Sequence, residues 1–560
     1  MTVLSRLATY VFLRPLQLLL WSPLRRIVYL YIRLYNRVPQ KLQLARKLAA
    51  KSDTSLDNYG PVQLLSATEL ARRIRSGKLS SVAVVNTYIE RIKQVNPLIN
   101  AVVADRFEDA LAEARLVDQM IASGDIPDEC SLEKKPFLGV PVTIKESNAV
   151  KGMPNTHGLA WRKDKFSHAG EHSEAVGRLV ASGLIVLGVT NIPELLMAWE
   201  SDNTLYGRSF NPYDLSLNTG GSSSGEGAIL GAGGSVIGLG SDIGGSIRMP
   251  AFFCGVFGHK TTAEWIPRDP PSILGHNNEE VYACATFGPL CRYAEDIAPF
   301  VSVLIGRELG DPLAVDLRKL RVVAVPDGLG FQPFVPSVQP DIRDAIVTAA
   351  NYLGQQVVGH GNVFFSKSLT GSDQVVYWYS PYITTGEVPY ANKLGGENLP
   401  AFSVARELIP FMCGRSGFTG NAFNLMLMNA IAGKATRSDI APCLDKMRAH
   451  VYELLGENGV LLFPPHPTTA QPHGVSYFNN VSFIYTGMFN ILGLPVTQVP
   501  LGLNKDGMPL GVQVVARKGE DLKAIAVALQ LEKRFGGWIP PRRFGAPVTE
   551  KEAEQLYIHK

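Results

Sequence analysis

Cysteine is scarce in this chain. Six residues in 560 (Cys130, Cys254, Cys284, Cys291, Cys413 and Cys443) are too few for a disulfide-built secreted fold. They contain no Cys-x-x-Cys pair and no metal-ligand spacing, so they are expected to be buried or idle thiols. Acidic residues are missing altogether from residues 1–52, which carry ten Lys or Arg; the first acid is Asp53. Long hydrophobic runs are also missing. The longest uncharged stretch of the apolar N-terminal region is Pro15–Leu24, well short of the ~20 residues of a bilayer span. No small-residue cleavage site follows that region, which argues against a signal peptide. The chain has no internal repeat and no low-complexity tract.

What is present divides in two. The net charge of +4 comes from the N-terminal region, because the remainder holds 44 basic against 50 acidic residues. Basicity confined to one apolar arm does not make a nucleic-acid surface, and no nucleic-acid partner is expected. Leu, Val, Tyr, Phe and Trp fill the arm between Arg6, Arg14, Arg25, Arg26 and Arg33, with Pro15 and Pro23 interrupting it. If Arg14 snorkels to an interface, Leu7–Leu24 nearly reaches a spanning length. This composition suits a membrane anchor, spanning or monotopic, in an anionic membrane face. A hydrophobic arm used in oligomer contacts is the alternative.

The body has hydrophobic residues enough for a large core, at 46% of the whole chain against 19% charged. It is expected to begin near Leu64. Ser66-Ala-Thr-Glu69 is a capping box opening a helix that Gly77 ends. A second helix is predicted from Ser81 to Gln94, stopped by Asn96-Pro97, then a strand at Ala101–Ala104 and a helix from Arg106 to Ala122. Val140–Ile144, Leu184–Val189, Ser235–Leu239 and Leu320–Val325 are short, apolar and β-branched, as buried strands are. Helical stretches separate most of them, so the expected architecture is α/β, a mixed twisted sheet covered by helices on both faces. Residues 360–460 carry fewer strand signals, as an insertion covering the sheet would.

The chain's 53 glycines are spread unevenly and are densest in 220–258. There, Gly220-Gly-Ser-Ser-Ser-Gly-Glu-Gly-Ala-Ile-Leu-Gly231 is followed by Gly238-Leu-Gly-Ser-Asp-Ile-Gly-Gly-Ser-Ile-Arg-Met-Pro250. Two serines, Ser222 and Ser246, stand on glycine-rich turns with helix and strand material between them. Gly244 and Gly245 open backbone conformations closed to other residues. Consecutive amides in such a turn can converge on one spot, and a nucleophile inside that ring suits acyl transfer, whose oxyanion needs stabilising as it forms.

This stretch resembles the amidase signature family and fills every specified position of that motif. Gly139-Val-Pro-Val-Thr-Ile-Lys145 resembles the family segment that ends in the catalytic lysine. Carried over by position, the resemblance implies Ser246 as nucleophile, Ser222 as bridging serine and Lys145 as base. It also implies the amides of Ile243, Gly244, Gly245 and Ser246 as the oxyanion hole. The residues support this independently. A lysine serves as base only when burial lowers its pKa, and Lys145 ends an apolar run from Phe137 to Ile144. A serine between it and the nucleophile would carry the proton to Lys145 and later protonate the departing amine. Asp242 and Arg248 are expected to brace the turn, and Ser223 and Ser224 to line it.

The resemblance covers roughly residues 61–540. It points to the branch that hydrolyses long-chain fatty acid amides and associates with membranes through its N-terminus. The implied division is 1–52 as membrane arm, 53–63 as linker, 64–545 as amidase domain and 546–560 as tail. Expected partners are a lipid amide, a membrane and, as in relatives, a second copy in a homodimer; no cofactor or metal is implied. Two alternatives stand beside it: an amidase subunit of a glutamine-dependent amidotransferase complex, and an amidase for small non-lipid amides. Three further patterns are read as decoys. Gly221-Ser-Ser-Ser-Gly225 imitates a G-x-S-x-G elbow but lacks a preceding strand. His168-Ala-Gly-Glu-His172 imitates a zinc motif, yet Gly170 and Ser167 suit a loop before a helix beginning near Ser173. Gly255-Val-Phe-Gly-His-Lys-Thr261 has the wrong spacing for a P-loop. His466 and His473 lie among prolines and read as loop residues.

Overall fold

The computed structural model describes residues 58–541, except 125–127, 165, 167, 267–282, 331–334, 368, 370–393, 395–403, 414, 424, 427–436 and 478. The basic arm and the C-terminal tail lie outside the described residues, as does much of the expected insertion. Among the described residues, no helix is long and apolar enough to cross a membrane.

Among the described residues, eleven strands form one mixed sheet in the order β1-β3-β2-β4-β6-β5-β10-β11-β9-β7-β8. They are β1 (Val102–Asp105), β2 (Pro141–Lys145), β3 (Ile185–Thr190), β4 (Ile237–Asp242), β5 (Phe257–Lys260), β6 (Thr286–Cys291), β7 (Arg321–Ala324), β8 (Val363–Phe365), β9 (Gly459–Phe463), β10 (Val496–Leu503) and β11 (Pro509–Val515). β2 pairs in parallel with both β3 and β4, and β9, β7 and β8 form a second parallel set. The strands between them pair antiparallel. β2 and β3 are buried along their whole length, which is why they read as continuous apolar runs rather than alternating ones.

Three helices lead in: α1 (Ala67–Arg75), α2 (Ser81–Ile99) and α3 (Phe107–Ser123). The expected N-cap is present, since Ser66 Oγ accepts from Glu69 N at 3.0 Å. Packed structure reaches back a little before Leu64: Tyr59 stacks edge-on against Trp538 at 5.5 Å, with the Arg91 guanidinium over its ring. α2 corrects the sequence expectation, because it passes Asn96-Pro97 and ends at Ile99. Pro97 lies in the last turn and removes only its own bond to the preceding turn. Asn100, left-handed at φ 48°, closes the helix with a 2.8 Å bond to Asn96 O. The Asn96 side chain then takes the amides of Ala101 and Val102, both at 2.8 Å.

The remaining helices among the described residues are α4 (Glu174–Ala181), α5 (Ser224–Gly231), α6 (Arg248–Phe253), α7 (Ile297–Ile305), α8 (Pro340–Leu353), α9 (Val404–Met412), α10 (Arg437–Leu455), α11 (Ile484–Ile491) and α12 (Asp521–Phe535). They cover both faces of the sheet. Strand alternation divides the core: Val460 and Leu462 of β9 join one cluster with Ile346 of α8 and Ile525 of α12. Leu461 and Phe463 point the other way, to Met447 and Val451 of α10 and Met488 and Phe489 of α11. Of the expected insertion, β8 extends the sheet edge and α10 covers a face.

The parallel register of β2 and β4 (Thr143 beside Gly238, Ile144 beside Leu239) brings Lys145 and Asp242, at their carboxyl ends, to one side of the sheet. The chain leaves β4 into the Ile243–Ile247 turn and enters α6, while the Gly220–Ser223 loop leads into α5. Crevices at the carboxyl ends of such strands are where open α/β sheets hold their ligands.

Candidate active site

Lys145, the last residue of β2, is completely buried. Its Nζ donates to Ser222 Oγ at 2.8 Å, to Ser241 Oγ at 2.9 Å and to Ser241 O at 3.3 Å. Burial pushes its pKa down to about 7, against the opposing pull of Asp242 and Glu226. An ammonium in that position would lose its hydration, so the free amine is accessible near neutral pH.

Ser222 and Ser246 are both buried, with 1% and 7% of their surface exposed. The Gly221–Ser222 peptide is cis. Backbone bonds fasten the two serine loops together, since Ser223 N donates to Ser246 O at 3.1 Å. The Gly220–Gly221 corner has no room for side chains. A Cβ on Gly221 would stand 2.8 Å from Ala198 O, and one on Gly220 2.8 Å from the Met249 backbone. Lys145 and Ser222 are thus joined directly, and Ser246 is held beside them through its main chain.

The Ile243–Ile247 turn is built on Asp242. Its carboxylate accepts from Gly245 N at 2.7 Å and Ile247 N at 3.0 Å, and from Arg248 Nε and Nη2 at 3.0 and 2.9 Å. Arg248 spends its other donors on Thr486 O, Gln513 Oε1 and Asn490 Oδ1. Burial alone would raise the Asp242 carboxyl, but the Arg248 charge and its hydrogen bonds, helped by Lys260 and Asn490, hold it well below the usual carboxylate range. Asp242 and Arg248 therefore brace the turn by ion pairing and hydrogen bonding. Gly245 is at φ +122°, and a Cβ there would come 2.0 Å from Thr486 Oγ1. Thr486 also donates to Gly244 O at 2.6 Å. Of the four amides implied as an oxyanion hole, that of Gly245 faces Asp242 Oδ1.

Sequence reasoning missed several of these neighbours. Ser241 sits inside the motif, yet only the β2–β4 register reveals that it reaches Lys145. Glu226 carried a legible signal, as the one charge in an otherwise uncharged helix, α5. It is fully buried, and burial pushes its pKa up to about 8, opposed by hydrogen bonds from Thr143 and Thr190 and by Lys145. Asn490, Gln513 and Thr486 come from the far C-terminal part and gave no signal. Glu146, next to Lys145, accepts from Thr156 Oγ1 at 2.6 Å and His157 N at 3.0 Å, fixing the loop after β2.

The decoy motifs fall elsewhere. Ser223 is the N-cap of α5, preceded by loop apart from an isolated bridge between Leu217 and Pro472. His168 and His172 lie in the loop before α4, whose N-cap is Ser173 as expected. Lys260 of the P-loop imitation is buried at the end of β5. His466 and His473 are buried loop residues, and His473 Nδ1 lies 3.0 Å from Glu200 Oε1.

A glycine-built serine turn beside a buried lysine, on this mixed sheet, matches a known class: the sequence model of the Amidase family fits residues 83–524, and the chain belongs to that family, the amidase signature enzymes. It is an amide hydrolase. It is 43% identical over 500 residues to fatty-acid amide hydrolase 2-A of Danio rerio, covering 86% of this chain and 90% of that protein. Human fatty-acid amide hydrolase 2 is 42% identical over 500 residues, with 86% and 91% covered. A solved structure described as fatty acid amide hydrolase superposes with a TM-score of 0.70 at 22% identity, over 86% of this chain and 87% of that one, which shows the shared fold.

Proposed function

We propose that this amide hydrolase cleaves long-chain fatty acid amides at a membrane, through an acyl-enzyme on Ser246 with Ser222 as proton bridge and Lys145 as base. The observation that carries the reading is the 2.8 Å contact of the buried, unusually acidic Lys145 with Ser222. Neutral Lys145 takes the Ser222 proton as Ser222 takes that of Ser246, and Ser246 Oγ attacks the amide carbon. The tetrahedral oxygen is met by main-chain amides of the Ile243–Ser246 turn; that of Gly245 would have to share its bond to Asp242. The proton then returns through Ser222 to the leaving nitrogen, the C–N bond breaks, and water releases the acid. Because the base must be unprotonated, kcat/KM is expected to rise with pH through about 7, following Lys145. A steady-state pH profile checks this, and activity that is flat from well below to well above that pH would remove Lys145 as base.

For the substrate, the named relatives and the apolar surroundings point the same way. Met197 packs both on the cluster that contains Ile243 and on a second one formed by Leu159, Leu195, Leu394, Ala422, Leu425 and Met426. An acyl chain directed along these residues would gain about 0.8 kcal/mol for each methylene it buries. The arm of residues 1–52 is proposed to place the enzyme at the membrane that holds such substrates. Purified chain in mild detergent is expected to release fatty acid from primary amides with kcat/KM increasing with acyl length. Rates confined to short or aromatic amides would refute the lipid assignment. An inactive single chain that gains activity with a partner subunit would favour an amidotransferase role.

A further inference from the structure

Glu226 is unused by this mechanism, yet it lies in a niche shaped for it. A lone buried carboxylate is costly, so its partners matter. Thr143 Oγ1 lies 2.7 Å from Glu226 Oε2 and Thr190 Oγ1 lies 2.9 Å from Oε1. Both threonines neighbour Lys145. Thr143 precedes it by two on β2 and so shares its face, and Thr190 is its direct partner across the parallel β2–β3 pair. β4 leaves space for the carboxyl with a glycine, since a Cβ at Gly238 would come 1.9 Å from Glu226 Oε2.

The partners suit either charge state of the carboxyl. Hydroxyls donate to a carboxylate and accept from a carboxylic acid. When Glu226 is protonated, the Thr143 hydroxyl has a second acceptor in Ser235 Oγ at 3.1 Å, and Thr190 has Ile144 O at 3.4 Å. Ser235 Oγ donates in turn to Ile237 O at 3.0 Å. Gaining or losing the charge therefore strands no buried polar atom here.

The elements packed on α5 bring few other ionisable groups. α2 carries Arg91, whose Nε donates to Ala232 O at 2.9 Å, Tyr88, whose burial raises its pKa to about 12, and the exposed pair Glu90 and Lys93. α6 carries Arg248, committed to Asp242 at the end of β4. β6 carries Cys291, whose thiol burial pushes well above its usual range. β3 carries none, and β2 carries Lys145. Lys145 is thus the neighbour whose charge can change near neutral pH together with that of Glu226.

We infer that Glu226 is a positioning residue for the reaction, the charge on its carboxyl deciding whether Lys145 stands as ammonium or as free amine. This rests on the reading of Lys145 as base. Ionised, Glu226 holds a proton on Lys145; neutral, it leaves the amine free to accept one from the serines. The niche thereby couples two groups that would otherwise titrate independently.

The test is the pH dependence of kcat/KM for a cleaved long-chain primary amide, measured on the full chain in detergent, for the wild type and Glu226→Gln. Gln cannot ionise, so Lys145 loses its protons more readily and the acidic limb is expected to move to lower pH by about one unit. Thr190→Val removes one donor to the carboxylate, favours its neutral form, and should move the limb the same way by less. That variant decides the question if Glu226→Gln does not fold. A limb that stays in place, with or without loss of kcat, would overturn the inference while leaving Lys145 as base. A wild-type profile without an acidic limb would overturn the base assignment itself.

Discussion

Ser246→Ala is expected to lower amide turnover by at least about 10,000-fold while leaving the fold intact. The reason is chemical rather than structural. The Ser246 hydroxyl is the atom proposed to form the acyl bond, and it stands on the turn built around Asp242. Lys145→Ala and Ser222→Ala should each retain only a small residue of activity, because the nucleophile remains but its proton has no route away. The three losses should not add, since the groups act as one unit. A fluorophosphonate that labels serine nucleophiles should mark wild-type enzyme and fail on Ser246→Ala. Near-normal hydrolysis by Lys145→Ala would remove the proposed base, and labelling that persists in Ser246→Ala would move the nucleophile elsewhere.

The second large effect concerns stability. Arg248→Ala is expected to lower the unfolding free energy by about 3–5 kcal/mol, the usual cost of leaving one member of a buried ion pair without the other. Arg248 and Asp242 are both fully buried, and Arg248 ties Asp242 to Thr486, Asn490 and Gln513. Its loss strands a carboxylate and loosens the turn that carries Ser246, so kcat should fall as well. Denaturant unfolding followed by fluorescence, beside kinetics on the folded fraction, separates the two effects. The sign with pH is set by Asp242, whose native pKa is depressed. Its stabilisation is fully present above the unfolded value near 4 and is lost as the pH falls toward the lower native value. A change below about 1 kcal/mol would show that the pair braces nothing.

Local patterns carried much of the fold. The Ser66 cap, the four apolar β-branched segments and the helix start at Ser173 are each encoded within a few residues. Three of the segments stand within a residue of where the pattern placed them, while the other begins at Ile237 rather than Ser235 and runs on to Asp242. Pro97 misled because a helix ends where its last carbonyls find partners, and these lie beyond the proline. Asn96 and Asn100 close α2 there with contacts to residues 100–102, which propensity does not register.

The sequence by itself determined which residues could do the chemistry: two serines on glycine turns, a lysine ending an apolar run, and a motif specific enough to name their family. Glycine spacing is a local property, because it reflects the backbone angles each turn requires. The tertiary structure alone decided their surroundings. The parallel register of β2, β3 and β4 sets Ser241 against Lys145 and brings Thr143 and Thr190 to Glu226. Chain segments more than 230 residues away deliver Thr486, Asn490 and Gln513 to the Asp242–Arg248 brace. Burial and charge proximity set how readily Lys145 gives up a proton. Both are sums over neighbours in space, and no window of sequence contains them.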